Sequence, residues 1–433
     1  MSRVGLGQTL RALSSSRVVG SARRQAAQDT AVRRLVRHAA VNVPYYRDLL
    51  AQAGVAAQEI RSAADLARIP ISTKADLLAA PEAERIALGF SRRSLLSACS
   101  SGITGEPFTV LRTWGEQTLQ HCFALRAMGS LGVRPTDRIA AIHFVGNRTD
   151  PGRRRLRRLL GAFGIGRTLH LDVRRDPAEL ADELVRCRPH AVLGYPAILD
   201  RVSQELVDRG IALAPRVVIT GGEVLQPRLC AALADRFGAP VRSLYGSIEC
   251  QLIAAECPAG EGFHVCDGNV VVEVLRKDGT PAATGEVGEV VVTPLRAYAM
   301  PFIRYRLGDL VVAGGRCRCG GALQTLKEIQ GRMMDYLVLP GGRRLHPFEV
   351  TDRVVWDHPG WARRFQLVQE RENRVVMRTI AARQPDEATI NSINRSVGEV
   401  LGSDVEFALE LVNELPHEPS GKFRLIRPLA SVS

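Results

Sequence analysis

The chain has 433 residues, 45% hydrophobic and 24% charged, a folded globular composition that excludes disordered, collagen-like and fibrous classes. At roughly 150 residues per domain it holds more than one domain, and a chain this long can bury about three quarters of its extended surface. No run of 18 apolar residues occurs, which excludes a membrane-spanning helix, and the formal charge of +13 suits nucleic acid, an anionic surface or polyanionic small substrates.

In chain order, the first 40 residues carry eight arginines against one acid, Asp29. A mitochondrial presequence would look similar, but the apolar pattern runs on unbroken to residue 50, so a basic amphipathic helix is the reading. Residues 1–90 read as mostly helical, punctuated by Pro44, Pro70 and Pro81. From about 115, short apolar runs (138–144, 167–173, 190–195 and 216–220) alternate with helical stretches such as 177–187 and 197–210. That alternation predicts a largely parallel sheet covered by helices. Between 265 and 313, valine-rich runs flanking a Gly/Pro turn segment predict β-hairpins. A third texture follows, with short strands, one helix at 385–401 and a polar tail. The expected fold is α/β. A large N-terminal domain, 1–331, has mixed sheets covered by helices plus a β-rich subdomain, and a small mobile α+β domain spans 332–433.

Of the 58 basic residues only four are lysine: Lys74, Lys277, Lys327 and Lys422. Codon usage accounts for the bias, and a lysine that survives it marks a place where a flexible point charge is useful. Nine cysteines, an odd number, read as reduced thiols of a cytoplasmic protein.

Residues 100–107, Ser-Ser-Gly-Ile-Thr-Gly-Glu-Pro, follow an apolar segment and combine hydroxyls with two glycines. Such a loop can turn backbone N–H groups toward a phosphate, although it lacks the Walker A spacing. Further segments follow in order: Thr-Gly-Gly-Glu (220–223), Tyr-Gly-Ser-Ile-Glu (245–249), Arg-Tyr-Arg-Leu-Gly-Asp (304–309), Gly-Arg-Met-Met-Asp (331–335) and Glu-Pro-Ser-Gly-Lys-Phe-Arg (418–424). With the stretch 43–77, this ordered set resembles the adenylate-forming superfamily of acyl- and aryl-CoA synthetases, in its phenylacetate–CoA ligase-like branch, over residues 40–427.

The resemblance implies ATP-dependent activation of a carboxylic acid, aromatic by analogy with the branch, to an acyl-adenylate. Transfer to coenzyme A as a thioester then follows. Transfer to an acyl- or peptidyl-carrier thiol, or to an amine, stays open as the alternative. Joining two anions needs cations and a phosphate grip more than an acid or base. By resemblance, Ser100, Ser101, Gly102, Thr104 and Gly105 cover the β- and γ-phosphates, with Glu106 standing where the family has lysine. Gly222 and Glu223 lie on the adenine side, and Tyr245, followed by Gly246 and Ser247, offers the purine a flat face. Glu249 ligates Mg²⁺ and Asp309 accepts from the ribose hydroxyls. Arg332 sits at the hinge, whose pivot is Met334 or Asp335, and Lys422 bridges the substrate carboxylate and the α-phosphate. Gly341 and Gly342 lie on the face presented for thioester formation. His143 and Tyr195, at predicted strand ends, are candidates for the acid pocket or satisfied core residues.

A second constellation is metal-binding. Cys257, His264, Cys317 and Cys319 sit among glycine turns and fit a closed Cys₃His zinc site, a pattern shared by members of the ligase branch, with Cys250 and Cys266 as substitutes. The basic run 152–167 reads as a solvated helix face, or as a docking surface for nucleic acid or an acidic carrier protein. From another class, a zinc-stabilised basic nucleic-acid-binding protein is the rival, and the ordered motifs argue against it. A non-catalytic nucleotide binder is disfavoured by the retained Glu249, Asp309 and Lys422. No membrane partner is expected, and a homodimer is the default for assembly.

Overall fold

The computed structural model describes residues 20–99, 108–143, 167–319, 324–332, 337–345, 348–351, 353–354, 358, 361–415, 426–427 and 429. The chain forms two compact units, Met1–Gln330 and Gly331–Ser433.

The first unit opens with helix α1 (Ser21–Asn42) and helix α2 (Pro44–Gln52). Buried residues of α1 recur as Ala31, Val32, Leu35, Val36 and Ala39, one stripe of a 3.6-residue period. Val43 is extended and Pro44 starts α2, where a missing N–H costs nothing. This stripe packs with Tyr46, Ile60, Leu66, Ile69, Leu295 and Ile303. Helix α3 (Lys74–Ala79) starts on a Thr73–Asp76 capping box.

Strands β1 (Leu96–Cys99) and β2 (Thr109–Arg112) pair antiparallel. Helix α4 (Trp114–Ser130) follows at once, capped by Thr113 and Glu116. Glu116 Oε1 also accepts from the backbone N–H groups of Tyr298 (2.6 Å) and Ala299 (2.9 Å), which ties the start of α4 to the approach to the 304–309 motif.

Next come β3 (Arg138–His143), β4 (Arg167–Asp172), helix α5 (Pro177–Cys187), β5 (Ala191–Gly194), helix α6 (Pro196–Asp208), β6 (Val217–Gly221), helix α7 (Pro227–Phe237) and β7 (Val241–Ser247). Each helix begins with proline at its first position. The five strands are parallel in the order β4-β3-β5-β6-β7. One face buries Ala140, Ile142, Val192 and Val218 against Leu180, Leu184, Val202 and Phe237 of the helices. The other buries Ile139, Ala191, Val217 and Ile219 with Met128 and Leu131.

The sheet then continues through β8 (Gln251–Glu256), β9 (Phe263–Val265), β10 (Val270–Leu275), β11 (Val287–Pro294), β12 (Tyr305–Ala313) and β13 (Thr325–Arg332), with antiparallel pairs β7–β8, β8–β9, β9–β13, β10–β11 and β11–β12. Eleven strands stand in the order β10-β11-β12-β13-β9-β8-β7-β6-β5-β3-β4. The valine-rich hairpin β10–β11 expected between 265 and 313 is therefore an extension of the same sheet.

The second unit has a small hairpin, β14 (Leu337–Leu339) with β15 (Arg343–Leu345). A four-stranded sheet follows, formed by β16 (Ala362–Arg371), β17 (Arg374–Ala381), β18 (Glu406–Leu411) and β19 (Ile426–Arg427). Helix α8 (Glu387–Leu401) buries Ile393, Val397 and Leu401 against Trp361, Leu367, Val375 and Met377. Asp386 caps it by accepting from Thr389 N–H, and Arg343 Nη1 donates to Val400 C=O (3.1 Å) near its end, a cation at the negative pole of the helix.

Candidate active site and metal-binding cluster

Parallel strands end together, and their C-terminal edge is where open α/β sheets bind ligands. The register aligns Ile142 with Gly194, Gly194 with Thr220, and Gly221 with Leu244. His143, Tyr195, Gly222 and Tyr245 each follow these positions, so the structure gathers four of the expected site residues along one edge. Gly222 turns with φ +80°, a left-handed conformation that suits glycine. Glu223 Oε2 accepts from Ala197 N–H (3.1 Å) at the start of α6, joining two of these strand ends.

Tyr245 and Asp309 lie on different strands, β7 and β12, and meet directly. The tyrosine hydroxyl donates to Asp309 Oδ2 at 2.6 Å, with both residues less than a tenth exposed. A charged acceptor makes this a strong bond, worth about 1.5–3 kcal/mol. Beside it, Tyr305 Oη donates to Glu249 Oε1 at 3.4 Å. Glu249 sits in the tight β7–β8 turn, closed by Cys250 N–H donating to Ser247 Oγ (3.2 Å). Gly246 lies at a register shift in that pairing, and a Cβ there would stand 1.9 Å from Gln251 C=O.

Two residues that the motif reading passed over hold this arrangement. Arg304, at φ +47°, grips Glu273 with Nε (3.0 Å) and Nη2 (2.8 Å) and donates Nη1 to Ala67 C=O and Ile69 C=O, fixing the start of β12. Its motif was visible in the sequence; its partner, 31 residues earlier, was not. Arg112, only 5% exposed, donates Nη2 to the carbonyls of Ile248 and Glu249. Elsewhere on the edge, His143 Nε2 meets His170 Nδ1 of β4 at 2.7 Å, the rings edge to face. Asp172 in the same strand is held below the usual carboxylate range, chiefly by its hydrogen bond from Arg174.

The metal-type cluster lies away from that edge, in the antiparallel part of the sheet. Cys257, His264, Cys317 and Cys319 converge, their ligand atoms all within 4.8 Å of one another. Sγ separations are 3.5 Å (257–317), 3.8 Å (257–319) and 3.2 Å (317–319), and Cys319 Sγ is 3.3 Å from His264 Nε2. The edges of a tetrahedron built on zinc–sulfur bonds of roughly 2.3 Å are about 3.8 Å long, so this donor set fits the ion. Ala259 N–H donates to Cys257 Sγ (3.4 Å). Gly262, φ +77°, permits the close approach of β13, since a Cβ would lie 2.4 Å from Leu326 C=O. The two substitutes have other surroundings: Cys250 is buried in the core, and Cys266 accepts from Arg126 Nη2 (3.3 Å).

Comparison with known proteins follows the same order along the chain. The AMP-binding enzyme family matches residues 98–294, and the CapK C-terminal domain family matches residues 339–428. Phenylacetate-coenzyme A ligase of Thermus thermophilus is 27% identical over 360 residues, covering 80% of this chain and 78% of the relative. The protein of the same name from Escherichia coli is 27% identical over 341 residues, 76% of each chain. The chain resembles the adenylate-forming superfamily, in its phenylacetate–CoA ligase-like branch. Among solved structures, 2-hydroxyisobutyryl-CoA ligase in the postadenylation state in complex with R3-HIB-AMP shares the fold, with a TM-score of 0.78 at 19% identity over 95% of this chain and 90% of that one.

Against the superfamily motifs, Ser100, Ser101, Gly102, Thr104, Gly105 and Glu106 lie outside the described residues, as do Met334, Asp335, Lys422 and the basic run as far as residue 166. Arg332 ends β13. Gly341 and Gly342, both at φ +75°, form the turn between β14 and β15, and a Cβ at either would meet open space. No helix among the described residues is long and apolar enough to cross a membrane.

Proposed function

We propose that the chain is an AMP-forming acid–thiol ligase. A carboxylate oxygen attacks the α-phosphorus of ATP, and pyrophosphate leaves with the electrons of the broken P–O bond. The sulfur of coenzyme A then attacks the acyl carbon and AMP departs. The observation that carries the proposal is the Tyr245–Asp309 bond standing beside the Tyr305–Glu249 contact, at the edge where β7 ends, in a chain that resembles this superfamily.

Asp309 accepts from the ribose hydroxyls; the Tyr245 hydroxyl, donating at 2.6 Å, orients that carboxylate while its ring faces the purine. Gly222 and Glu223 border the adenine, and Gly246 and Ser247 shape the turn beneath it. Glu249 is the carboxylate for Mg²⁺, which when bound spreads the charge of the phosphates. Ser100, Ser101, Gly102, Thr104 and Gly105 grip the β- and γ-phosphates through the loop backbone and hydroxyls, with Glu106 where the family has lysine. Arg332 serves the hinge, and Lys422 neutralises the substrate carboxylate and the α-phosphate together. Gly341 and Gly342 give a pantetheine arm room to approach. The acid is aromatic, enclosed in part by His143 and Tyr195. Cys257, His264, Cys317 and Cys319 hold a structural zinc ion with no open position.

A pyrophosphate-exchange screen over aryl, aliphatic and amino acids tests the first half-reaction, and mass detection of a thioester after adding coenzyme A tests the second. Product on a carrier protein or an amine, with none on coenzyme A, would redirect the acceptor. In Lys422→Ala, exchange should fall by about 10²–10³-fold, the effect of one preorganised electrostatic partner. Near-wild-type exchange in that variant would overturn the role given to Lys422.

A further inference from the structure

The segment that leaves β2 is fastened twice to the turn carrying Glu249. Arg112 Nη2 donates to Ile248 C=O and, at 3.3 Å, to Glu249 C=O. One helical turn on, the side-chain amides of Gln117 and Gln251 exchange two hydrogen bonds, at 3.2 and 3.1 Å. The choice of the two carbonyls matters. The Ile248 carbonyl belongs to the peptide plane before the Glu249 Cα, and the Glu249 carbonyl to the plane after it. A single planar guanidinium therefore fixes both planes, and with them the direction of the Glu249 side chain. At the other end, Tyr305 Oη meets Glu249 Oε1. Desolvating a guanidinium is expensive; here the one nitrogen Nη2 serves both carbonyls, and the rigid plane of the group holds it in place where a lysine ammonium would sit on a flexible stem.

We propose that Arg112 is a positioning residue that aims the Glu249 carboxylate at the divalent cation of the nucleotide. The inference rests on Glu249 being the metal carboxylate.

The test uses the full chain saturated with the methylene analogue of ATP, titrated with Mn²⁺ and read by electron paramagnetic resonance. The variants are Arg112→Lys, Arg112→Met and Glu249→Gln. Supporting groups behind a metal ligand typically contribute about 10–100-fold in metal affinity. Arg112→Met should therefore bind Mn²⁺ about 10–100-fold more weakly, with Arg112→Lys between it and wild type. Nucleotide affinity at saturating Mn²⁺ should stay within about threefold in both, a split that general loosening of the fold would not give. If Arg112→Met shows no cooperative thermal transition, Arg112→Lys decides. Unchanged Mn²⁺ affinity in the folded Arg112 variants, with weakening in Glu249→Gln, overturns the proposal alone. Unchanged affinity in Glu249→Gln removes the metal role of Glu249 and this inference with it.

Discussion

Glu289 shows how a single carboxylate can make stability depend on pH. Its Oε1 is buried with no hydrogen-bond partner among the described residues, and Arg306 Nε reaches only the other oxygen, at 3.2 Å. Burial raises its pKa above the ordinary value, outweighing the nearby guanidinium. A carboxyl with a raised pKa binds its proton more tightly in the folded state. Its contribution is therefore present at low pH and is lost as pH climbs from the unfolded value through the folded one. Glu289→Gln cannot titrate. Its thermal midpoint relative to wild type should improve between pH 4 and pH 7, and a difference that stays flat or worsens would contradict this account. At this scale the sequence was partly legible. The family motifs named Tyr245, Glu249 and Asp309, but not that the tyrosine bonds the aspartate from 64 residues away. Arg112 carried no signal at all, because its partners lie 136 and 137 residues downstream and are backbone carbonyls, which any sequence supplies.

Elements were legible where their chemistry is local. The apolar runs became parallel strands nearly at their expected bounds, since each is short and apolar, and β4, β5 and β6 are followed by helices that start with proline. The helix expected at 385–401 spans Glu387–Leu401, fixed by its cap and by Ile393, Val397 and Leu401. Pairing was not legible: that β13 would join β9, 60 residues earlier, depends on contacts no local pattern encodes. The β7–β8 turn is the element on which the site depends most. Its register shift at Gly246 brings Gln251 C=O to where a side chain would stand. Gly246→Ala should cost about 1–3 kcal/mol in urea unfolding, as overpacking does. Because the turn holds Glu249, nucleotide binding should weaken as well. A fully stable Gly246→Ala protein would show that the backbone there yields easily.

At the scale of the molecule, the largest sheet is two kinds of sheet in series, parallel on one side and antiparallel on the other. Within the antiparallel part, β9 meets β13 through two residue pairs, Thr325 with His264 and Leu326 with Phe263. The cysteine–histidine cluster straddles this seam. Cys257 and His264 come from the β8–β9 side and Cys317 and Cys319 from the β12–β13 connection. Protein purified without chelator should carry one equivalent of zinc. Its removal should lower the thermal midpoint of the chain, and Cys317→Ser should lose the metal. An unchanged midpoint after complete stripping would reduce the cluster to ordinary packing.

A clasp across so narrow a join governs cooperativity as well as strength. With the ion in place, the strands on either side are bound to melt as one body. Without it, heat should part them in steps, and calorimetry of the stripped chain would then record a broadened or divided transition. The supply of metal during folding would thus decide whether the eleven strands behave as a single structure.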